Sequence, residues 1–218
     1  DPKVESSLLD AIRFYRQNPT DATLVTFENF SSEWLNARIA EIDSDACDRY
    51  AEAKPEFQLV AGQLDDVCSL GFKDGFFLNN FAQNASSAGK RFLELRDAWG
   101  KAEFGFVANA KVILLAETWL QEFGDSNVLF GQVRETYSIG LNKVFKGVSD
   151  GFMSRESGSD ERNANADALQ AYRLLMNEGD NGFAGYMARE ALEMLERNEN
   201  RFNDEIDERL ERLLESGE

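Results

Sequence analysis

The chain has 218 residues, of which 43% are hydrophobic, so it is long enough for one domain, or one and a half, with a real core. Its formal net charge is -17, from 40 acidic and 23 basic residues, which disfavours nucleic acids and anionic membrane surfaces as partners. Histidine is absent, which excludes Ser-His and Cys-His nucleophile pairs and every His-ligated metal site.

Apolar residues recur at helical spacing along most of the sequence, whereas we find neither the frequent turn residues nor the period-two alternation of short strands. This pattern predicts an all-α protein, a bundle of about seven or eight helices. The predicted helices cover residues 3–17, 22–53, 57–70, 76–98, 104–123, 127–149 and 167–177, and a last helix or pair of helices covers 183–215. Thr20 or Asp21 is predicted to cap the second helix, and Gly71 to end the third.

The stretch 104–123 is the most apolar in the chain. Its apolar positions cover most of the circumference of a helix, which is typical of a buried central helix or a membrane span. Lys111, Glu117 and Glu122 interrupt it, so no window approaches the ~18 uncharged residues that a span needs. We therefore expect the central helix of a bundle and no membrane span.

Residues 154–166 are small and polar and contain almost no apolar side chain. We expect an exposed loop there, because such composition marks connections between packed elements. This loop separates a main helical domain, 1–153, from C-terminal helices, 167–218, that we expect to pack on the same domain.

The two cysteines, Cys47 and Cys68, are compatible with one disulfide. In an antiparallel helical hairpin, residues at the same height are equidistant from the turn, and the midpoint of the pair falls between Phe57 and Gln58. We therefore predict a disulfide joining the second helix to the third, with a connection extending through roughly 54–58. The alternative is two buried free thiols, since both cysteines lie on apolar stripes.

Two N-glycosylation sequons occur, Asn29-Phe30-Ser31 and Asn84-Ala85-Ser86. One or two such triplets also arise by chance in a chain with this much Asn and Ser. The chain begins Asp-Pro-Lys rather than with Met, as a mature or trimmed form would. With the cysteine pair, these features favour a secreted protein.

Acidic residues are concentrated near the C-terminus. Glu190, Glu193, Glu196 and Glu199 recur at steps of three residues, and Asp204 and Glu208 follow them. Carboxylates three residues apart are neighbours on a helix, so this candidate acidic surface can bind a cation or a basic partner. The alternative is a solvated face whose repulsion is screened by interleaved arginines. Di-iron helical bundles need Glu-x-x-His pairs, so we assign no metal here.

The 17 Phe and 3 Trp residues suit either of two roles. They can line a pocket for an apolar ligand between helices, or they can form the helical core on whose stripes most of them lie. No phosphate loop, dinucleotide fingerprint, nucleophile elbow or CxxC pair is present. We therefore expect neither a cofactor nor catalysis.

In its acidity, its Phe content and its helical character over the whole length, the chain resembles the all-helical salivary proteins secreted by blood-feeding insects. The resemblance rests on composition and implies no site residue; it implies a protein that binds host factors. We expect a secreted, non-enzymatic protein, of host-factor-binding or immune-modulating type, that engages a basic protein partner through its acidic helical surface. The alternative is a carrier of a small hydrophobic ligand in a Phe-lined inter-helical pocket.

Overall fold

The computed structural model describes residues 2–42, 46–53, 58–64, 67–100, 105–146, 162–163, 166–179 and 182–217. Within these ranges the chain is mostly helical, with ten α-helices and two small antiparallel sheets. The all-α prediction is confirmed at this level, and the number of helices exceeds the seven or eight expected. Contacts divide the chain into two compact units, Asp1–Gly100 with Ser126–Leu129, and Lys101–Asp125 with Phe130–Glu218.

The first unit contains five helices, a 3₁₀ turn and a β-hairpin in its described part. In chain order they are α1 (Pro2–Gln17), α2 (Asp21–Ile39), α3 (Cys47–Ala53), β1 (Leu59–Leu64), β2 (Val67–Phe72), α4 (Phe76–Phe81), the 3₁₀ turn (Ala82–Asn84) and α5 (Ser87–Trp99).

The second unit contains the other five described helices and a pair of two-residue strands. They are α6 (Phe106–Phe123), α7 (Phe130–Phe145), β3 (Arg162–Asn163), α8 (Ala166–Glu178), α9 (Phe183–Arg197), β4 (Arg201–Phe202) and α10 (Asp204–Gly217). The contacts place the internal boundary near residue 100, whereas the sequence placed it in 154–166, because α6 packs against α7, α8 and α9. A central position of α6 in the whole chain stays a prediction.

The stretch predicted as an exposed loop, 154–166, lies mostly outside the described residues. Its described part, Arg162–Asn163, pairs antiparallel with Arg201–Phe202, and Ala166 already begins α8. In the described helices, none is both long enough and apolar enough to span a membrane, which agrees with the sequence prediction.

The helix predicted over 22–53 is interrupted. α2 begins after Thr20, whose hydroxyl accepts a hydrogen bond from the N–H of Thr23 at 3.2 Å in a capping box. It ends at Ile39, and α3 begins only at Cys47. Residues 43–45 lie outside the described part, but their sequence, Asp-Ser-Asp, favours turns over helix interiors because the side chains compete for backbone hydrogen bonds.

The helix predicted over 76–98 also divides in two. Ala85 and Ser86 have extended backbones, and the Ser86 hydroxyl accepts the N–H of Gly89 at 2.8 Å to begin α5. Ser acts as an N-cap more readily than as an interior residue, so a second helix begins where the sequence pattern seemed continuous.

The prediction of a helix over 57–70 is wrong. Strands β1 and β2 form an antiparallel hairpin there, with Leu59 opposite Phe72 and Leu64 opposite Val67, so that Gly71 lies in a strand and caps no helix. Leu59 is buried and its neighbour Val60 is exposed, which is the alternation of a strand. The apolar spacing in this stretch fits both periods, and packing of α3 against the hairpin decides between them.

The first unit is organised around aromatic side chains and a buried ion pair. Phe81 contacts the rings of Tyr15 and Phe27, with centroids 5.3 and 4.5 Å apart. On the same helix as Phe27, the carboxylate of Glu28 is only 6% exposed and forms a salt bridge with Arg96 of α5. A buried carboxylate needs such a partner because an unpaired charge is very costly to desolvate.

The second unit has a continuous core formed by α6 to α10. At its centre Tyr172 is fully buried, stacks on Phe145 at 5.2 Å, and donates its hydroxyl to the Val144 carbonyl at 3.2 Å. α7 approaches α6 closely at Gly140, where an added Cβ would lie 2.9 Å from a side-chain carbon of Ile113.

Candidate functional site

The acidic residues near the C-terminus lie at the tip of a helical hairpin. α9 ends at Arg197, and the turn passes through Glu199 and Asn200, which have positive φ angles of 53° and 59°. Asn203 then caps α10 by accepting the N–H of Ile206 at 3.0 Å. The predicted series with three-residue spacing therefore remains helical only as far as Glu196.

An ion pair links the two arms of this hairpin. Glu190 of α9 and Arg209 of α10 lie 3.8 Å apart, so the segment between them, 190–209, forms the tip. We call this segment the acidic tip. It contains eight acidic and three basic residues, a net charge of -5.

Most of the predicted acidic surface is open to solvent. Glu190 is half-buried, and the five exposed carboxylates are those of Glu193, Glu196, Glu199, Asp204 and Glu208. Glu193 pairs with Arg197 at 3.2 Å, but both side chains are more than half exposed, and such pairs contribute only ~0.3–0.5 kcal/mol. The tip is therefore an exposed, negatively charged surface whose internal ion pairs are weak.

A groove of about 700 Å³ lies elsewhere on the second unit, beside α7. Most of its wall is apolar, and these residues are Leu120, Phe130, Ile139, Leu141, Phe183 and Leu214. Its polar lining includes Arg134, Glu135, Tyr137 and Ser138. The volume lies within the range of ligand pockets in proteins, and the mixture of apolar walls with a few polar groups is typical of them.

Beside the groove, a buried carboxylate joins three elements. Glu117 of α6 is only 8% exposed, and its Oε1 accepts the Tyr137 hydroxyl at 2.7 Å and the backbone N–H of Ala184 at 3.2 Å. Burial, followed by the hydrogen bond to this carboxylate, raises the pKa of Tyr137. The phenol therefore remains a neutral donor, and the arrangement anchors α7 and the start of α9 to α6.

The carboxylate of Glu117 compensates for a glycine at the start of α9. Gly182 occupies the N-cap position and has no side chain to accept the free N–H groups of the first turn. Two other helices begin in the same way. Gly105 precedes α6, where Asp167 accepts the N–H of Phe106 at 3.1 Å, and Gly75 precedes α4, where Asp97 accepts two N–H groups.

Some of the chain's many acidic residues therefore serve inside the fold, where their carboxylates accept N–H groups at helix starts. In the sequence, Glu117 is recognisable only as a charge that argues against a membrane span, and no local pattern assigns Tyr137 or Gly182 to a site. The available signal was an acidic residue within an apolar helix and, much later in the chain, a glycine at a helix start. Nothing in a single sequence joins two such distant positions.

The predicted modification sites have different local structures. Both asparagines are exposed: Asn29 lies within α2, and Asn84 ends the 3₁₀ turn. In the first sequon Ser31 is buried and donates its hydroxyl to the Glu28 carbonyl at 2.9 Å. In the second sequon Ser86 is exposed. The use of either sequon stays a prediction.

The cysteines lie on a helix and a strand rather than on two helices. Cys47 is buried at the start of α3, and the backbone of Cys68 lies in β2 opposite Gln63. The side chain of Cys68 lies outside the described residues, as does all of the predicted connection, 54–58, except Gln58, so the disulfide stays a prediction. Its geometry is corrected, because a bond between these positions would join α3 to the hairpin on which it packs.

In the part of the chain that the structure describes, no group of three or more Cys, Asp or Glu side chains is arranged to hold a metal ion. In comparisons with known proteins, no family model, no curated protein and no solved structure matches the chain.

Proposed function

We propose that the chain is a secreted, non-enzymatic binding protein that engages a basic protein partner through the acidic tip. The observation that supports this most directly is the exposure of six carboxylates in the acidic tip, a segment with a net charge of -5; they are Glu205 and the five exposed residues of the predicted surface. Exposed carboxylates clustered on one surface attract positively charged surfaces and accelerate their encounter. The proposal agrees with what the resemblance to salivary proteins implies, a protein of host-factor-binding or immune-modulating type.

The hairpin is well anchored for this role. Behind the exposed carboxylates, the buried residues Leu195, Phe202, Ile206 and Leu210 belong to the core of the second unit. The tip therefore presents its charges from a packed scaffold, so a partner needs to order few backbone residues on binding.

The test is a binding screen against basic extracellular proteins, with acidic proteins of similar size as negative probes. The tip variant replaces three exposed carboxylates, Glu193→Gln, Glu196→Gln and Glu199→Gln. Exposed charges each contribute up to ~1 kcal/mol, so we expect the affinity for a basic protein to fall about tenfold or more. Raising the salt to about 1 M shortens the screening length to about 3 Å and should weaken binding by the native chain.

A matched control changes the net charge by the same amount elsewhere. Glu33, Glu122 and Glu178 are exposed residues outside the tip, and their replacement by Gln should leave the affinity nearly unchanged. An equal loss for the control and the tip variant would mean that only the net charge matters. Binding that is insensitive to both salt and the tip variant would refute the acidic tip as the docking surface.

The groove beside α7 favours a second candidate function, a carrier of a small hydrophobic ligand. Two phenylalanines, Phe130 and Phe183, line it, so a Phe-lined site between helices matches the alternative that the sequence suggested. Native mass spectrometry and organic extraction of the purified protein test this function directly. A delipidated chain that binds no fatty acid, sterol or amine would refute it.

A further inference from the structure

We propose that the groove beside α7 binds a small organic ammonium compound, a ligand with one cationic head and an apolar body. This inference rests on the second candidate function and names its ligand class. The groove has room for such a molecule, because its volume of about 700 Å³ is comparable with that of drug-sized ligand sites.

The apolar walls of the groove favour a ligand with an apolar body. Leu120 and Phe130 come from the end of α6 and the start of α7, Phe183 from the start of α9, and Leu214 from the end of α10. Four helix ends therefore supply apolar surface to one site. Transfer of an alkyl chain from water to such surface gains ~0.8 kcal/mol for each buried methylene.

The polar groups of the groove favour a cationic head. Glu135 is an exposed carboxylate of the lining, and the side chain of Ser138 lies one turn further along the same helix. Tyr137 uses its proton in the hydrogen bond to Glu117, so a ligand that reaches its oxygen meets an acceptor. An ammonium group has donors only and matches acceptors of this kind.

Two further features favour a ligand with a cationic head group. The rings of Phe130 and Phe183 are part of the lining, and aromatic faces attract ammonium groups by ~0.5–2 kcal/mol. The net charge of -17 draws cations toward the chain and repels anions. Among the described residues that line the groove, Arg134 is the one cation, and it would favour a carboxylate instead, so the test must compare the two head groups.

The experiment titrates the full chain with octylammonium, octanol and octanoate, which share one apolar body and differ in the head group. Isothermal titration calorimetry at low ionic strength should give one site, with octylammonium bound about tenfold more tightly than octanol and octanoate bound most weakly. Methylammonium, which lacks the apolar body, serves as the control for general attraction of cations to an acidic chain and should not compete.

Two adjacent positions on α7 make a matched pair of variants. Glu135→Gln should weaken octylammonium binding several-fold and leave octanol binding unchanged, whereas Arg134→Gln should leave octylammonium binding unchanged or strengthen it. Both side chains are exposed, so neither change threatens the fold. Gly131→Leu extends a side chain into the groove, where an added Cβ meets no atom within 4 Å, and should abolish binding of every amphiphile.

The outcomes test the ammonium preference and the carrier function separately. Equal affinity for octanol and octylammonium would leave a carrier function standing and overturn the ammonium preference. The ammonium preference would also be overturned if octanoate bound most tightly. Octylammonium binding that survives Gly131→Leu would overturn it as well, because the cation would then bind outside the groove. If none of the three amphiphiles binds, both the preference and the carrier function are refuted.

Discussion

The carboxylate of Glu117 on α6 accepts the backbone N–H of Ala184 in the first turn of α9, 67 residues later in the chain. It serves as the N-cap that Gly182 has no side chain to provide. Tyr137 donates to the same oxygen, so one carboxylate fixes the relative positions of α6, α7 and α9. A helix start capped by a distant residue forms only when the helices around it are packed.

Removal of this carboxylate should destabilise the second unit. In Glu117→Ala the Tyr137 hydroxyl and the first-turn N–H of Ala184 lose their acceptor, and an unsatisfied buried group costs ~1–3 kcal/mol. Urea denaturation should show the loss in the free energy of unfolding, and hydrogen exchange at Ala184 should accelerate. Glu122→Ala, at an exposed position of the same helix, should change stability by no more than ~0.5 kcal/mol. Equal effects of the two substitutions would contradict the capping role.

Two glycine-to-alanine substitutions should have opposite effects. At Gly182 an added Cβ overlaps the carboxylate of Glu117, so Gly182→Ala should cost ~1–3 kcal/mol through displacement of the cap. At Gly131, near the start of α7, nothing lies within 4 Å of the added atom, and alanine should stabilise the helix by up to ~1 kcal/mol. Thermal unfolding of both variants measures the difference. If Gly182→Ala were as stable as the native protein, the carboxylate of Glu117 could cap α9 without a glycine at position 182, and the prediction would be wrong.

The stability of the first unit should contain a pH-dependent contribution from Glu28. Burial raises the pKa of this carboxyl above its ordinary value of 4.5, and the ion pair with Arg96 offsets the effect only in part. The folded state then binds the proton more tightly than the unfolded state. The contribution is fully present below pH 4.5 and is lost as the pH rises through the folded-state pKa.

The comparison of native protein with Glu28→Gln isolates this contribution. The unfolding free energy of the native chain, relative to the variant, should decrease as the pH rises above the ordinary carboxyl value and then reach a plateau. Urea denaturation over a pH series measures it. Glu33→Gln removes one exposed carboxylate from the same helix and is the control. If the native protein and Glu28→Gln differ by the same free energy at every pH, the pKa of Glu28 is not raised.

The cysteine pair gives a prediction about covalent structure. A Cys47–Cys68 bond would join α3 to the hairpin, and closing a loop of this length contributes ~3 kcal/mol in the chain-entropy model. The intact mass of the denatured protein should rise by two hydrogen atoms on reduction, and Cys47→Ser should lower the unfolding temperature. Two thiols that react with an alkylating agent in unreduced, denatured protein would refute the bond and remove the main support for secretion.

The sequence by itself determined where several helices begin and end. α1 ends at Gln17, before Asn18-Pro19, and α6 ends at Phe123, before Gly124, as the predicted bounds 3–17 and 104–123 require. α2 begins at the predicted Thr20 cap. These signals are strong because they act within one turn of chain, through the restriction that proline imposes, a side chain bonded to the nearest free N–H, or a residue that tolerates positive φ.

The tertiary structure alone decided the hairpin at 59–72 and the partners of the buried carboxylates. Val60 and Leu64 fit a helix and a strand equally well; in the folded chain the strand carrying them pairs with β2, with Leu59 buried and Val60 exposed, and packs on α3. In the sequence Glu117 is one of several charges that interrupt an apolar stripe, and only the fold places Gly182 beside its carboxylate. Periodicity reports which side of an element is apolar, whereas the partner of a buried charge depends on which distant elements meet, and no local pattern contains that information.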